Sequence, residues 1–425
     1  MAHGNALQSG STRIPASWIV GLAVFPFGLV VGFTVTALPF LLTHLGIPLY
    51  KVAAVSATVM SPTFWGFLLQ PLMDTGLTRR AYAWLTAAVS AVCLAAALPL
   101  LSVDHLGVAT ALLLIGELSM VLYSGAVSGW TAQFTPDSVR GSVSGWTNVA
   151  NLGGGALGSL AVMSLAPHFS VRWLGFGLGV AIFVGATPML LFPDAVRSSF
   201  HFRQIFTDAM RATWRACKTK ECLTGFALFL VPASAEAAIN LFSGMGNDFH
   251  TSTTVVIWIT GAGCAITASI GALLGGYAAN RVSRGRLYLS AGLVTSFIAL
   301  AMALSPHTPA AFVIGVLAYN GVAGAAYAAF NAFGYQLVGR KSVVASTQLG
   351  LFAASTNFAI TYMTWADGRS SKYFGVTGAL LTDSLASMIS ALVLLILLRK
   401  RLTKPCGDGA ETPSVPELAS YESAD

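Results

Sequence analysis

Long apolar stretches alternate with short polar connections along most of the chain. A helix needs about 20 apolar residues to cross a bilayer. Gly and Pro within such stretches are compatible with membrane helices, because neighbouring helices satisfy the freed backbone groups. The pattern therefore predicts an all-α polytopic membrane protein with twelve spans, numbered here in chain order: 17–43, 50–73, 81–101, 106–134, 142–166, 172–192, 222–245, 253–279, 287–304, 308–335, 343–365 and 375–398.

The basic residues lie almost entirely in alternate connections. With an even number of spans, all but four of the 23 Lys and Arg residues fall on the side that holds both termini. Connections rich in Lys and Arg stay in the cytoplasm. The pattern predicts a multi-pass protein of the inner (plasma) membrane with both termini cytoplasmic. The four exceptions are Lys51, Arg172, Arg369 and Lys372.

The longest connection, 193–221, separates six spans from six. Its apolar residues recur at helical spacing and its basic residues occupy the other face, which predicts an amphipathic helix lying in the membrane interface. We therefore expect an N-terminal six-helix bundle over 14–192, a cytoplasmic linker over 193–221 and a C-terminal six-helix bundle over 222–400. The tail over 401–425 is rich in Pro, Ser and Glu, and is expected to be disordered.

Composition narrows the class of protein. Hydrophobic residues make up 55% of the chain and charged residues 9%, and the mean hydropathy is +0.72. A soluble domain carries about a quarter of its residues charged, so a soluble enzyme, a nucleic-acid-binding protein and a disordered chain are excluded. The five cysteines form no CxxC pair, and no Walker motif or clustered catalytic residues occur. We expect no enzyme activity, no metal and no cofactor, and a monomer in the lipid bilayer.

Two connections at equivalent places in the two halves have similar sequences. Each places Asp or Asn at a helix end and follows it with a basic cluster, which indicates a duplicated six-helix unit. An Asp at a cytoplasmic helix end can pair with Arg from a neighbouring connection while that side is closed. The alternative is that the arginines only hold these connections in the cytoplasm. The predicted gating residues are Asp74, Arg79, Arg80, Arg140, Asn280, Arg281 and Arg284.

These connections resemble the signature Gly-x-x-x-Asp-Arg-x-Gly-Arg-Arg of the major facilitator superfamily. The copy from Gly276 to Arg286 keeps the first Gly and three basic positions, with Asn280 in place of Asp, and the copy after span 2 keeps Asp74. The resemblance covers nearly all of residues 14–400. It implies two pseudo-symmetric six-helix bundles that rock around a substrate site near the middle of the membrane.

A narrower resemblance is to the AmpG-like muropeptide permeases, the peptide and acetyl-coenzyme A transporter branch of that superfamily. It is carried by Gly32-Phe33 with Leu38-Pro39 in span 1, by Gln70-Pro71-Leu72-Met73-Asp74, and by Trp130, Pro136 and Arg140-Gly141. This resemblance implies uptake of peptidoglycan-derived sugar-peptides.

Two carboxylates, Glu117 in span 4 and Glu236 in span 7, are predicted to be the only ones deep in the membrane. An unpaired carboxylate is costly there, so each should be protonated, hydrogen-bonded or in contact with water. We interpret Glu236, and secondarily Glu117, as the residues that take up a coupled proton. The alternative is a protonated Glu that forms a hydrogen bond for packing.

Neutral polar and aromatic side chains in the spans are the candidates for substrate binding. Those in span 10 recur at spacings close to one and two helical turns. Such side chains suit sugars or peptides, whose apolar faces stack on rings while their hydroxyl and amide groups bond to amides. The alternative for each is a helix–helix hydrogen bond, worth about 1 kcal/mol. The candidates are Trp130, Gln133, Asn148, Asn240, Tyr319, Tyr327, Asn331 and Asn357.

Together these features predict a secondary active transporter that works by alternating access. We expect it to be proton-coupled and to import a muropeptide or a similar neutral or zwitterionic solute. The alternatives are a drug or metabolite exporter of the same superfamily and a non-transporting membrane sensor.

Overall fold

The structure is a computed structural model that describes residues 15–398, except 48, 75–76, 103, 194–206, 208–210, 212–213, 216–217, 341 and 343. Most of the linker over 193–221 and the whole tail over 401–425 therefore lie outside the described residues. The interfacial helix and the disordered tail stay predictions, and so do the domain boundaries.

The N-terminal half contains spans 1 to 6, all helical. Span 2 ends in a 3-10 helix rather than an α-helix, because Pro71 lies inside its last turns and has no N–H to donate. The helices are Ser17–Leu22, Phe25–Gly32 and Leu38–His44 in span 1, with a π-helical turn Phe33–Ala37; Leu49–Met60, Pro62–Trp65 and the 3-10 helix Gly66–Asp74 in span 2; Arg79–Ala97 in span 3; Leu106–Phe134 in span 4; Arg140–Leu165 in span 5; and Val171–Gly185 in span 6.

The C-terminal half contains spans 7 to 12. Spans 11 and 12 form one helical stretch that is bent at Gly375, whose φ of 64° is accessible to glycine without strain. The helices are Lys220–Leu230, the 3-10 helix Ala237–Asn240 and Phe242–Met245 in span 7; Thr253–Trp258 and Cys264–Ala279 in span 8, with a π-helical turn Ile259–Gly263; Arg284–Leu304 in span 9; Pro309–Val338 in span 10; and Ala345–Leu397 in spans 11 and 12.

Every predicted span coincides with a helical segment, which confirms the polytopic all-α fold. Among the described residues, eight stretches are long and apolar enough to cross a membrane, one of them the stretch that joins spans 11 and 12. The remaining spans are 2, 5 and 7. Spans 2 and 7 are interrupted, and span 5 is rich in glycine and polar residues.

Each half has apolar cores of its own. One cluster of buried side chains extends from Val20 to Phe192 and stays within the N-terminal half. Three others lie between Cys222 and Leu394, joined from the first half by Ala132. The structure is thus two six-helix bundles side by side.

Spans 5 and 8 form one side of the seam between the bundles, and glycines bring their backbones together. A methyl group built on Gly276 would lie 2.5 Å from the carbonyl oxygen of Gly141, and one on Gly145 would lie 2.8 Å from that of Ala272. These distances are shorter than van der Waals contact, so only glycine fits. This seam lies towards the end of the bundles that holds the connections after spans 2, 4, 8 and 10, called here the arginine-rich end.

Candidate functional site

A cavity of about 240 Å³ lies between the two bundles. Spans 1, 2, 4 and 5 line it from the N-terminal half, and spans 10 and 11 line it from the C-terminal half. Both halves therefore contribute to one site, and a rocking movement of either half would change its shape.

The cavity wall is polar but uncharged. No Lys, Arg, His, Asp or Glu is among the described residues that line it, whereas amides, hydroxyls and aromatic rings are frequent. Such a surface can exchange hydrogen bonds with hydroxyl or amide groups and stack rings on apolar faces. Its polar residues are Thr63, Gln70, Ser124, Ser128, Thr147, Asn148, Asn151, Asn331, Tyr335 and Asn357, and its rings include Phe27, Phe67, Phe330 and Phe352.

Gln70, on the cavity wall, has a buried polar atom that forms no hydrogen bond with a described residue. Its amide nitrogen donates to the carbonyl oxygen of Val121 at 3.0 Å, while its Oε1 atom has no hydrogen-bond partner among the described residues. A buried acceptor without a donor is costly. A donor group of a bound solute could supply the missing hydrogen bond.

The structure brings three of the predicted substrate-binding residues to the cavity wall: Asn148, Asn331 and Asn357. Asn148 donates to the carbonyl oxygen of Ser144 at 2.9 Å, so its amide oxygen remains for another donor. Asn357 donates to the carbonyl oxygen of Thr63 across the two halves at 3.4 Å.

The other five predicted residues lie elsewhere. Trp130 stacks on Phe134 and donates to the carbonyl oxygen of Pro193 at 2.9 Å. Gln133 lies at the arginine-rich end, and Asn240 is exposed and donates to Thr364 at 3.0 Å. Tyr319 and Tyr327 belong to the interior of the C-terminal half and are described below.

Gln70, Ser128, Thr147 and Tyr335 line the cavity but were not among the predicted binding residues. The signal for Tyr335 was present, since it follows Asn331 by one helical turn and so shares its face. Gln70 entered the sequence analysis only as part of a motif, and nothing in its neighbourhood marked it as a cavity residue.

The first contact that joins the two halves at the arginine-rich end is the Asp74 latch, formed by Asp74, Arg79, Ser346 and Thr347. Asp74 ends span 2, and its carboxylate accepts hydrogen bonds from the backbone N–H groups of Ser346 at 3.0 Å and Thr347 at 2.9 Å, at the start of span 11. The Thr347 hydroxyl donates to it at 2.7 Å. Arg79 completes an ion pair with it at 2.6 Å, and both side chains are buried.

Gln133 extends the Asp74 latch. Its side-chain oxygen accepts from Arg79, and its amide donates to the carbonyl oxygen of Ser342 in the other half. Arg340 donates back to the carbonyl oxygen of Gln133 at 3.2 Å. Gln133 therefore joins the two halves at the arginine-rich end and is not on the cavity wall.

The second contact is the Asn280 latch, formed by Asn280, Gly141, Ser142, Asp137 and Arg284. Asn280 ends span 8; its side-chain oxygen accepts from the backbone N–H of Gly141 at 2.7 Å, and its amide donates to the Ser142 hydroxyl at 2.6 Å. Arg284 forms an ion pair with Asp137 of the other half at 2.7 Å and also donates to its backbone carbonyl at 2.6 Å.

The remaining predicted gating residues take different positions. Arg140 pairs with Asp137 at 3.1 Å and so joins the Asn280 latch. The guanidinium of Arg281 lies 4.1 Å from the ring centroid of Tyr277 in its own half. Arg80 is half-buried and shares no hydrogen bond or ion pair with another described residue.

In the described part of the chain, four carboxyl groups are buried inside the spans, away from the span ends. Glu117 and Glu236 are two of them, and Asp367 and Asp383 are the others. The expectation that Glu117 and Glu236 are the only carboxylates deep in the membrane is therefore wrong. Asp383 fell inside the predicted span 12 and could have been found there. Asp367 was assigned to a connection, because the bend at Gly375 comes later than the predicted end of span 11.

The comparisons with known proteins identify the fold. No family model matches the sequence, and no curated protein matches it. Solved structures do match. The human organic anion transporter MFSD10 (TETRAN) has a TM-score of 0.69 at 15% identity, over 91% of this chain and 100% of that one. The proton:xylose symporter XylE bound to 6-bromo-6-deoxy-D-glucose has a TM-score of 0.65 at 12% identity, over 91% and 96%.

A bacterial homologue of the iron transporter ferroportin in an outward-facing state has a TM-score of 0.63 at 16% identity, over 89% of this chain and 98% of that one. This chain has the major facilitator fold. The predicted two-bundle architecture is thus confirmed, and the major facilitator fold explains why the cavity lies between the halves. The narrower likeness to the AmpG-like permeases stays a prediction.

Proposed function

We propose that this chain is a secondary transporter that carries a small, neutral or zwitterionic polar solute by alternating access. The observation that carries the proposal is the uncharged polar cavity between the two bundles. Solved structures of the same fold include transporters described for organic anions and for xylose. Because these substrates differ in charge, the fold alone does not indicate the substrate of this chain. The substrate has to be inferred from the residues that line the cavity.

The lining argues against a strongly charged substrate. A phosphate or carboxylate in a water-poor cavity needs a cation to replace its hydration, and the described wall supplies none, so only a solute that carries its own balancing charge can bring an anion into it. Amide groups of Asn148, Asn331 and Asn357, together with the free acceptor of Gln70, suit a solute rich in hydroxyl or amide groups.

Cavity size sharpens the proposal. About 240 Å³ is slightly below the range of roughly 300–1,000 Å³ that is usual for pockets that bind small molecules. A single sugar, an amino sugar or a short peptide is of suitable size, whereas a complete sugar-peptide of the muropeptide class requires the cavity to widen. A muropeptide is therefore the largest substrate that we propose for this cavity.

Two features support alternating access. The latches join the halves at the arginine-rich end, which the positive-inside rule assigns to the cytoplasm. The cavity lies directly beyond them. Breaking the latches would open the cavity to the cytoplasm, so the arrangement suits a carrier that is closed on that side.

Proton coupling is part of the proposal. Glu236 and Glu117 are buried, and each has one carboxyl oxygen without a hydrogen-bond partner among the described residues. Burial disfavours the charged form of a carboxyl group. A carboxyl in this environment can gain or lose a proton when its surroundings change, which is what coupling to a proton gradient requires.

The test is uptake by the full chain in proteoliposomes. Radiolabelled neutral sugars, amino sugars, dipeptides and anhydro-muropeptides are offered with and without an imposed pH gradient. Asn331→Ala should raise the KM of the accepted solute about tenfold, the loss expected for about 1.4 kcal/mol of binding. Asn247→Ala, an exposed amide away from the cavity, is the matched control.

Accumulation of a solute under a pH gradient, weakened by Asn331→Ala alone, supports the proposal. Accumulation only when the gradient and vesicle orientation are reversed makes the chain an exporter. A folded protein that moves none of these solutes, or an Asn331→Ala variant with unchanged KM, rules out the proposed site.

A further inference from the structure

The C-terminal half contains a group of three buried carboxyl side chains that do not line the central cavity. Glu236 of span 7 is 3% exposed, Asp367 of span 11 is 0% exposed and Asp383 of span 12 is 1% exposed. Ala235, next to Glu236, belongs to one buried apolar cluster with Met363 of span 11, and Ala386 of span 12 packs against that cluster. Spans 7, 11 and 12 therefore meet here, and the three acids form a carboxyl cluster in which Asp383 is close enough to interact with both Glu236 and Asp367.

Three oxygen atoms of the cluster form no hydrogen bond. Both oxygens of Asp367 and Oε2 of Glu236 are buried without a hydrogen-bond partner among the described residues, whereas Asp383 also faces the backbone N–H of Ala238. The other oxygens are satisfied: Ser234 donates to Glu236, and the hydroxyl of Tyr319 donates to Asp383 at 2.9 Å. The cluster therefore has carboxyl oxygens that can still bind a proton or accept a hydrogen bond.

No cation offsets these acids. Within the described part of the chain, neither Lys, Arg nor His forms an ion pair with any of the three. The tyrosines that interact with the cluster come from spans 9 and 10 and are neutral donors. They are Tyr288, Tyr319 and Tyr327.

Three carboxylates cannot all stay charged in such surroundings. Each isolated buried charge is costly, and neighbouring like charges raise the cost further. The carboxyl oxygens do not form a group that could hold a metal ion among the described residues. Protons are then the means by which the cluster can be neutral, and nearby acids titrate as a unit rather than one by one.

Glu236 lies at a break in span 7. The helix Lys220–Leu230 ends before it, a 3-10 helix begins at Ala237, and Glu236 has a φ of 49°. A residue other than glycine is strained in this region, and such strain occurs where a segment switches. Interrupted helices also form the ion sites of other transporters. Movement of span 7 would therefore change the surroundings of all three acids.

We propose that Glu236, Asp367 and Asp383 together form a proton-binding site, separate from the solute cavity. Each proton binds to a carboxylate oxygen as an O–H group and leaves from the same cluster when span 7 moves. Tyr319 positions Asp383 through its hydroxyl. Proton binding does not depend on the proposed transport; only the use of these protons for coupling rests on it.

The test is infrared spectroscopy of the full chain in liposomes, which needs no substrate. The absorbance of protonated carboxyl groups is followed from acid to alkaline pH. Asp383→Asn and Asp367→Asn should each remove part of this absorbance and shift the titration of the remaining part, because the acids titrate together. Tyr319→Phe, which keeps the ring, should shift the Asp383 contribution without removing it.

Asp248→Asn, an exposed acid of the same half, is the control and should leave the titration of the buried carboxyls unchanged. The proposal is overturned if Asp383→Asn and Asp367→Asn, shown to be folded, change the spectrum no more than the control does. It is also overturned if sodium at alkaline pH alters the carboxylate bands of the wild type and not those of Asp383→Asn, because the site then binds sodium.

Failure of transport and failure of this site give different results. A chain that moves no solute but shows the shared titration keeps the proton site and loses the proposed function. A chain that accumulates solute under a pH gradient with unchanged pH dependence in Asp383→Asn keeps the function and loses the role of the cluster in coupling.

Discussion

The Asp74 latch and the Asn280 latch occupy equivalent places in the two halves and follow the same plan. In each, a polar side chain at the end of one span accepts a backbone N–H at the start of a span in the other half. Asp74 accepts from Ser346, and Asn280 accepts from Gly141. The duplication predicted from the sequence is therefore visible in the hydrogen bonds that join the halves.

Their difference is the placement of charge. Asp74 is an anion whose ion-pair partner, Arg79, belongs to its own half and is buried. Asn280 is neutral, and the nearby Arg284 pairs instead with Asp137 of the other half, whose side chain is 23% exposed. Solvent weakens the partly exposed pair between the halves at the Asn280 latch, whereas the buried Asp74 carboxylate accepts three hydrogen bonds from span 11 of the other half. The Asp74 latch should therefore contribute more of the free energy that holds the halves together at this end.

Replacing Asp74 should therefore have the largest effect. Asp74→Ala leaves Arg79 buried without its anion and leaves two N–H groups of span 11 unpaired, a loss of about 3–5 kcal/mol for the closed state. We expect the cavity to open towards the arginine-rich end. The measurement is labelling of a Ser124→Cys reporter on the cavity wall by an impermeant maleimide, in a background without the five native cysteines.

Labelling from the arginine-rich end should become roughly a hundred- to several thousandfold faster in Asp74→Ala. Arg80→Gln is the matched control, since Arg80 lies next to Arg79 but makes no contact of this kind with another described residue. Equal labelling rates in folded Asp74→Ala and Arg80→Gln would show that the Asp74 latch does not close the cavity.

The glycine seam beside the Asn280 latch gives the second prediction. In Gly276→Ala the new methyl group would lie 2.5 Å from the carbonyl oxygen of Gly141, which is backbone and cannot rotate away. Crowding of this kind costs about 1–3 kcal/mol, and separation of spans 5 and 8 relieves it. Labelling of the same reporter should increase by roughly tenfold or more.

Gly153→Ala controls for glycine replacement itself, because nothing lies within 4 Å of its added methyl group. If the reporter is labelled at the same rate in Gly276→Ala and in Gly153→Ala, spans 5 and 8 accommodate the added methyl group without separating. The Asp74 side would then be the only one of the two that holds the halves together.

Sequence patterns predicted the latches better than they predicted the cavity. Asp74 and Asn280 could be found because a polar residue at a helix end before a basic cluster is unusual and occurs twice. Their different partners could not be foreseen, since Asp137 and Ser346 come from connections distant in sequence. The partners depend on how the two halves pack.

The cavity wall depends on helix rotation, which apolar spans specify weakly. Asn148, Asn331 and Asn357 were predicted and line it, whereas Tyr319 turns to the interior of its own half and bonds to Asp383. Spans 4 and 10 carry polar side chains on more than one face, so sequence spacing groups residues that end up in different places. The unwound segment before Glu236 did carry a signal, Pro232, but proline is tolerated inside membrane helices and so did not mark a break in span 7.

Removal of the Asn280 side chain should have a smaller effect than removal of Asp74. Asn280→Ala loses two hydrogen bonds between neutral groups, to Gly141 and Ser142, worth about 1–3 kcal/mol together. The ion pair of Arg284 with Asp137 remains and keeps the halves in contact. We expect reporter labelling between that of Arg80→Gln and that of Asp74→Ala, and an effect as large as that of Asp74→Ala would contradict the proposed difference between the latches.

The smallest change is expected when the charge of the first latch is introduced into the second. Asn280→Asp keeps the acceptor for the Gly141 N–H, and the Ser142 hydroxyl can turn to donate to the new carboxylate. An anion at the start of a helix is stabilised by about 0.3–1 kcal/mol, so labelling of the reporter should slow by roughly two- to fivefold.

The reverse exchange, Asp74→Asn, should speed labelling of the reporter, because an amide cannot replace the anion beside Arg79 and offers one acceptor atom where two are used. If the labelling rate falls in Asn280→Asp and rises in Asp74→Asn, the two latches differ through their charge and not through their geometry. If the labelling rate rises in both variants, each position accepts only its own side chain, and the proposed role of charge is contradicted.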